Sequence, residues 1–209
     1  RTPVAGAPPR SWLPAATAGL GPTTSTRARR RRPALVPIAD MFADQYRRRR
    51  GNYLACFSSY DYLDQALATL RQRHPDLTVW AQDRHMDEAA RDAFLERFQA
   101  HSQGIGFAVL GGAFAEGIDL PGARLIGAFV ATLGLPQMNP VNEQFKQRMA
   151  ALFGDGYDYT YLYPGLQKVV QAAGRVIRTE TDRGVVHLID DRFARREVKA
   201  LLPIWWSVQ

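Results

Sequence analysis

Apolar residues recur along this chain in two alternating patterns. Leu35, Ile38, Phe42 and Tyr46 follow helical spacing, so residues 34–48 are predicted to form an amphipathic helix ended by Gly51. Residues 53–57 form a short continuous apolar run, the pattern of a buried strand. A second helix is predicted over 60–73, with Leu63, Leu67 and Leu70 on one face, then a strand over 77–80 and a helix over 87–99 carrying Phe94, Leu95 and Phe98. Strands over 105–110 and 125–130 flank a Gly-rich loop. Beyond them lie a helix near 141–152, a largely helical stretch over 163–177 after Pro164, a strand over 185–189 and a last short helix over 194–202. Strands that are apolar throughout and alternate with helices belong to a parallel sheet covered on both faces. The prediction is one α/β domain from about residue 34 to the end.

The front of the chain differs. Pro3, Pro8, Pro9, Pro14 and Pro22 stand among Ala, Gly, Ser and Thr, so residues 1–23 are expected to be coil with neither a helix nor a central strand. Arg27 and Arg29 to Arg32 follow as a basic cluster closed by Pro33. Residues 1–33 are thus a basic, Pro/Arg-rich leader expected to be disordered. Charge divides at the same place. Residues 1–50 hold 11 Arg and 2 Asp, whereas residues 51–209 hold 16 Lys+Arg and 18 Asp+Glu, so the formal net charge of +7 belongs to the leader and first helix. A basic patch there is a solvated charge run or a phosphate-contacting arm, and it says nothing of the folded body.

Several chemistries are absent. No run reaches 18 apolar residues, so no transmembrane helix is predicted and no membrane partner is expected. The one cysteine, Cys56, lies in an apolar strand, which excludes a disulfide framework or a cysteine-based cluster within the chain and suits a reducing, cytoplasmic compartment. Lys146, Lys168 and Lys199 are the three lysines and none follows a glycine, so no phosphate-binding P-loop is present; an acidic D-E-x-H box is missing too. His74, His85, His101 and His187 are scattered, and no metal site is expected.

Two segments carry chemistry. Residues 111–122, GGAFAEGIDLPG, follow a predicted strand, and the carboxyl ends of parallel strands are where open sheets bind ligands. Their glycines allow close backbone approach, a plain turn would not explain Glu116 and Asp119 among apolar neighbours, and the spacing is not a dinucleotide fingerprint. In the second, Gln171, Gly174, Arg175 and Arg178 stand at i, i+3, i+4 and i+7, on one helix face. Two planar guanidinium forks beside a glutamine make a phosphate-sized donor surface. Gly174 inside a helix costs about 1 kcal/mol relative to Ala, which suggests that something approaches closely there. Tyr157, Tyr159, Tyr161 and Tyr163 alternate before Pro164, and we read them as core residues with satisfied hydroxyls ahead of base-stacking rings. Trp205 and Trp206 read as a packing or docking patch.

These two segments resemble motifs V and VI of the XPD/DinG family of superfamily 2 DNA helicases. The resemblance lies in Gly112-x-Phe114-x-Glu116-Gly117-Ile118-Asp119-Leu120-Pro121-Gly122 and in Gln171-x-x-Gly174-Arg175-x-Ile177-Arg178, followed by Asp182-x-Gly184. Phe57-Ser58-Ser59-Tyr60 is similar to motif IV, and residues 185–193, ending Asp190-Asp191-Arg192-Phe193, resemble the strand that follows motif VI. The likeness covers roughly residues 24–209, the family's second RecA-like motor domain, and so implies a P-loop NTPase type fold, a mostly parallel sheet with helices on both faces. It implies an ATP-dependent DNA helicase, with DNA repair as its setting. ATP with Mg2+ would be clamped against a first RecA-like domain of the same protein, which would hold the Mg2+ and, where one exists, an iron–sulfur cluster. Arg178 is then the arginine finger with Arg175 beside it. Gln171, Gly174, Glu116, Gly117 and Asp119 couple nucleotide to DNA, and Ser58, Ser59, Tyr60 and Gly112 line single-stranded DNA. By this reading the chain alone does not hydrolyse ATP. Two alternatives stand beside it: a non-enzymatic nucleic-acid binding module using the Arg27–Arg32 arm, and an inactive truncated remnant.

Overall fold

The computed structural model describes residues 15–18, 31–112, 114, 120–176, 184–203 and 206–208. Its centre is a seven-stranded sheet in which every paired strand is parallel. The strands are β1 (Ala15–Ala18), β2 (Asn52–Phe57), β3 (Val79–Ala81), β4 (Gly104–Val109), β5 (Gly127–Ala131), β6 (Val185–Leu188) and β7 (Ser207–Val208), in the spatial order β3-β4-β2-β5-β6-β1-β7. The helices are α1 (Arg31–Arg48), α2 (Tyr60–Arg73), α3 (Glu88–Glu96), α4 (Pro140–Phe153), α5 (Tyr163–Ala173) and α6 (Arg196–Lys199). An α/β architecture with a parallel sheet is what the alternating pattern predicted.

The central strands β2 and β5 are buried at every position, which is why they are apolar without alternation. Side chains from opposite faces of each strand feed two cores. On one face α1 and α2 pack Ile38, Phe42, Leu63 and Leu70 against Tyr53, Phe57, Phe107 and Phe129. Phe42 stacks on Phe129 at 4.1 Å between ring centroids, and Phe57 on Phe107 at 5.3 Å; such pairs add about 0.5–1.5 kcal/mol beyond the area they bury. The other face holds Leu54, Cys56, Ala108, Val130 and Leu188 beneath Phe94 and Phe98 of the α3 region and Leu166, Val169 and Ala173 of α5.

Helix α2 has the bounds its pattern predicted, because Ser59 caps it: the Ser59 hydroxyl accepts from the Tyr62 amide at 3.3 Å. Other elements depart. Residues 1–23 are not coil throughout, since Ala15–Ala18 forms a strand between β6 and β7. Pro14 lies just outside it and no proline falls within it, so each of its residues keeps an amide for the ladder. Helix α1 begins at Arg31, before Pro33 rather than after it. A proline in the first turn forfeits no helical bond, and Pro37 forfeits only the one to the Pro33 carbonyl. A π-helix over Asp158–Leu162 precedes α5. The tyrosines divide accordingly: Tyr161 is buried and its hydroxyl donates to Glu143 Oε1 at 2.7 Å, whereas Tyr157, Tyr159 and Tyr163 are 51%, 40% and 38% exposed. A helical turn rotates successive tyrosines around the axis, so period-two spacing does not put them on one face. No residue of α4 is buried. Trp206 is partly buried and packs against the core on the α5 face of the sheet, and Trp205 lies outside the described residues.

Candidate functional site

Strand β4 ends at Val109 and the chain turns at once through Leu110, Gly111 and Gly112. Gly111 has φ +79°, a region that favours glycine, and a Cβ there would stand 3.2–3.4 Å from the Cδ, Nζ and Cε of Lys168. The turn and α5 enclose a concavity lined by Leu54, Cys56, Gly111, Lys168, Gln171 and Arg175. Two of the residues read as a donor surface, Gln171 and Arg175, therefore meet the start of the Gly-rich segment. Lys168, one helical step before Gln171 on the same face, is a third donor that the motif pattern left out; its i−3 spacing from Gln171 was the available signal. The Arg175 guanidinium lies near enough to Cys56 to draw its thiol towards ionisation, but burial outweighs this and pushes the thiol up to about 12. Cys56 is thus an inert core residue.

Gly174 does not stand mid-helix. It caps the C-terminus of α5 in ordinary helical geometry, φ −64° and ψ −10°, and a Cβ there would meet only its own helix's carbonyls, at 3.2 Å and beyond. Gly174 is exposed, and among the described residues no group outside its own helix presses on it. Arg178, Glu116, Gly117 and Asp119 lie outside the described residues. Close approach is instead made at the other end of α5: a Cβ on Gly165 would stand 2.7 Å from the Leu133 carbonyl oxygen, and one on Gly134 would stand 2.6 Å from the Gly165 oxygen. This back-to-back glycine pair seats α5 against the loop after β5.

Ser58, Ser59 and Tyr60 follow β2 on the same carboxyl-end rim. Ser58 is exposed, and Ser59 and Tyr60 are half-buried. Gly112 joins them through a residue that the sequence reading passed over. The Gln82 side chain, 5% exposed, accepts from the Val109 amide at 2.9 Å and donates to the Tyr60 hydroxyl at 2.8 Å; its Nε2 lies 3.6 Å from where a Gly112 Cβ would be. The Gly112 amide itself bonds back to the Val109 carbonyl at 3.2 Å. Arg84 lies over the Tyr60 ring, 5.2 Å from its centroid, and pairs with Asp61. A single polar side chain after a three-residue strand gives no pattern, so only the fold reveals Gln82. Near the end of the chain, Asp190 is fully buried and takes the Arg192 fork at 2.7 and 2.8 Å, a structural pair.

Among the described residues no group of three His, Cys, Asp or Glu side chains is arranged to hold a metal ion, and no helix is long and apolar enough to cross a membrane. An all-parallel sheet whose carboxyl rim carries the Gly-rich turn, with a donor-bearing helix laid across one face, defines a RecA-like α/β domain. Residues 43–209 match the family described as "Helicase C-terminal domain", and the chain belongs to that family. It is 31% identical over 161 residues to the probable ATP-dependent helicase MJ0942 of Methanocaldococcus jannaschii, covering 69% of this chain and 24% of that protein. It is 29% identical over 156 residues to the ATP-dependent DNA helicase chl-1 of Caenorhabditis elegans, covering 70% and 19%. The solved structure described as XPD_APO superposes with a TM-score of 0.72 at 20% identity, over 90% of this chain and 38% of that one. The relatives are helicases of the XPD and DinG type, as the motifs implied. The chain spans about a quarter or less of the length of these curated relatives.

Proposed function

We propose that this chain is the second motor domain of an ATP-dependent DNA helicase of superfamily 2. It would complete a nucleotide site whose P-loop and Mg2+ ligands lie on a first RecA-like domain of the same protein. The observation that carries the reading is the concavity in which the Gly111 turn meets Lys168, Gln171 and Arg175. Its donor set is amide and cationic, which fits polyphosphate oxygens and leaves divalent-metal binding to the other half. ATP bound there supplies the phosphoanhydride whose hydrolysis drives movement.

Arg178, with Arg175 beside it, neutralises charge that develops on the transferring phosphoryl group, a contribution worth about 10^3–10^5-fold in rate when the geometry is met. Gln171 orients at the same face, and Gly174, Glu116, Gly117 and Asp119 link that face to the nucleic-acid rim. Ser58, Ser59, Tyr60 and Gly112 contact single-stranded DNA on the rim. A change in the concavity reaches the rim because Gly111 and Gly112 are adjacent and Gln82 ties the end of β4 to Tyr60.

The test is ATPase activity with single-stranded DNA, measured on this chain and on its mixture with a separately produced first domain. The reading expects none from the chain alone, and activity in the mixture that Arg178→Ala abolishes. Activity from the chain alone would refute the shared site.

A further inference from the structure

The buried Gln82 side chain bridges the end of β4, where the Gly-rich turn begins, and the Ser58–Tyr60 rim, and its polarity is fixed. The Val109 backbone amide can only donate, so the oxygen of the Gln82 amide must face it, at 2.9 Å. The NH2 group then faces Tyr60 and donates to the phenol oxygen at 2.8 Å. A phenol whose oxygen accepts from within the protein turns its own proton away from that donor. Among the described residues no acceptor receives the Tyr60 proton. Its ring is held meanwhile by Arg84. Ser59 has the same arrangement, because its hydroxyl oxygen accepts from the Tyr62 amide. The rim thus presents two hydroxyls as donors, beside Ser58 and Gly112.

We infer that Gln82 is a positioning residue: it fixes the Tyr60 hydroxyl as a hydrogen-bond donor to a phosphate oxygen of a single nucleic-acid strand. The inference rests on the proposed nucleic-acid role of Tyr60 and adds to it the direction of the bond. Phosphodiester oxygens only accept, so a rim of pre-oriented donors selects the backbone, whereas base edges present both kinds of group.

A reversal of polarity tests this. Gln82→Glu keeps both contacts, but its ionised carboxylate can only accept from Tyr60, so that the phenol's proton is taken internally; binding is read at about pH 8 to hold the carboxylate ionised. Fluorescence anisotropy with a labelled oligothymidine at low salt is measured on the full chain and its Tyr60→Phe, Gln82→Glu and doubly substituted forms. Tyr60→Phe is expected to weaken binding roughly tenfold, the scale of one hydrogen bond to a charged group. The added carboxylate repels the strand in either background, so the diagnostic quantity is the coupling: Gln82→Glu must weaken binding at least about threefold more with Tyr60 present than in the Tyr60→Phe background. Equal effects in both backgrounds overturn the inference and leave the Tyr60 contact standing. No effect of Tyr60→Phe overturns that contact as well, without touching the ATPase test of the motor reading. Should Gln82→Glu fail to fold, Gln82→Met removes the orienting donor at similar volume and is read by the same cycle, with equal loss in both backgrounds again refuting it.

Discussion

Replacing Gly165 by alanine should destabilise the domain, although alanine is the better helix former. The position lies in the first turn of α5, where the exchange would by propensity gain up to about 1 kcal/mol. A Cβ there would stand 2.7 Å from the Leu133 carbonyl oxygen and 3.1 Å from the Gly134 carbonyl carbon, and both neighbours are backbone. Ordinary contact begins near 3.4 Å, so helix and loop must part by about 0.7 Å. The loop cannot simply retreat, because Gly134 has φ +72° and its amide is bonded to the Thr132 hydroxyl at 3.0 Å. Overpacking costs about 1–3 kcal/mol, and against two backbone groups it falls in the upper part of that range, about 2–3 kcal/mol, so after the propensity gain the net loss is about 1–2 kcal/mol. Urea denaturation should show a lower midpoint at unchanged slope, and the thermal midpoint should fall by about 2–8 °C. Gly174→Ala is the companion measurement. Its added carbon meets only its own helix's carbonyls, so stability should change by less than about 1 kcal/mol. Gly165→Ala no less stable than the parent, or Gly174→Ala the more damaging of the two, would refute this account of how α5 is seated.

Three further outcomes follow from the buried polar groups and the α2 cap. His187, stacked on Phe129 and bonded to Gln45, is held neutral by burial, with its pKa lowered to about 4. The unfolded chain therefore binds the extra proton first as pH falls, and stability should drop by about 3 kcal/mol from above pH 6.5 to below pH 4. Urea midpoints across that window for the parent and for His187→Phe would check it, the variant showing a shallower dependence. Asp190→Ala should cost about 3–5 kcal/mol by stranding the Arg192 guanidinium, and Asp190→Ala with Arg192→Leu should cost less than Asp190→Ala alone. Ser59→Ala should cost about 1 kcal/mol in stability through the lost cap, whereas Ser59→Asp should restore stability while weakening oligothymidine binding.

What the sequence reveals here follows from where each residue's partners lie. Helix α2 is legible end to end because its cap and its leucine face fall within fifteen residues of chain. Strands β2, β4 and β5 are legible because full burial demands unbroken apolar runs. Gln171 and Arg175 come together as their spacing requires. Gly165, in contrast, carries no local trace of the neighbour that presses on it, and only the fold shows that it meets the loop after β5. Gln82 acts through Val109 and Tyr60, each more than twenty residues away, so nothing local marks it. Of the alternating tyrosines read as core residues only Tyr161 is buried, because positions two apart lie on opposite sides of a helical turn and cannot all face the core. Ala15–Ala18 is small-residue sequence with no periodicity, and it is a strand only by virtue of Val185–Leu188.

That pairing bears on how the chain comes to be made. β1 is synthesised about 170 residues ahead of β6, the strand it pairs with. At about 5–20 residues per second the interval is on the order of 10–30 s. All the other pairings in the sheet are parallel too, so no hairpin can form first and shelter it. Closure of so long a loop is among the slowest steps a topology can require. The sheet from β3 to β5 can assemble while synthesis continues, and β1 joins when β6 has formed. Lacking apolar side chains larger than alanine, β1 offers little to aggregation during the wait. Its small-residue composition suits a strand that must wait unpaired until β6 has been synthesised.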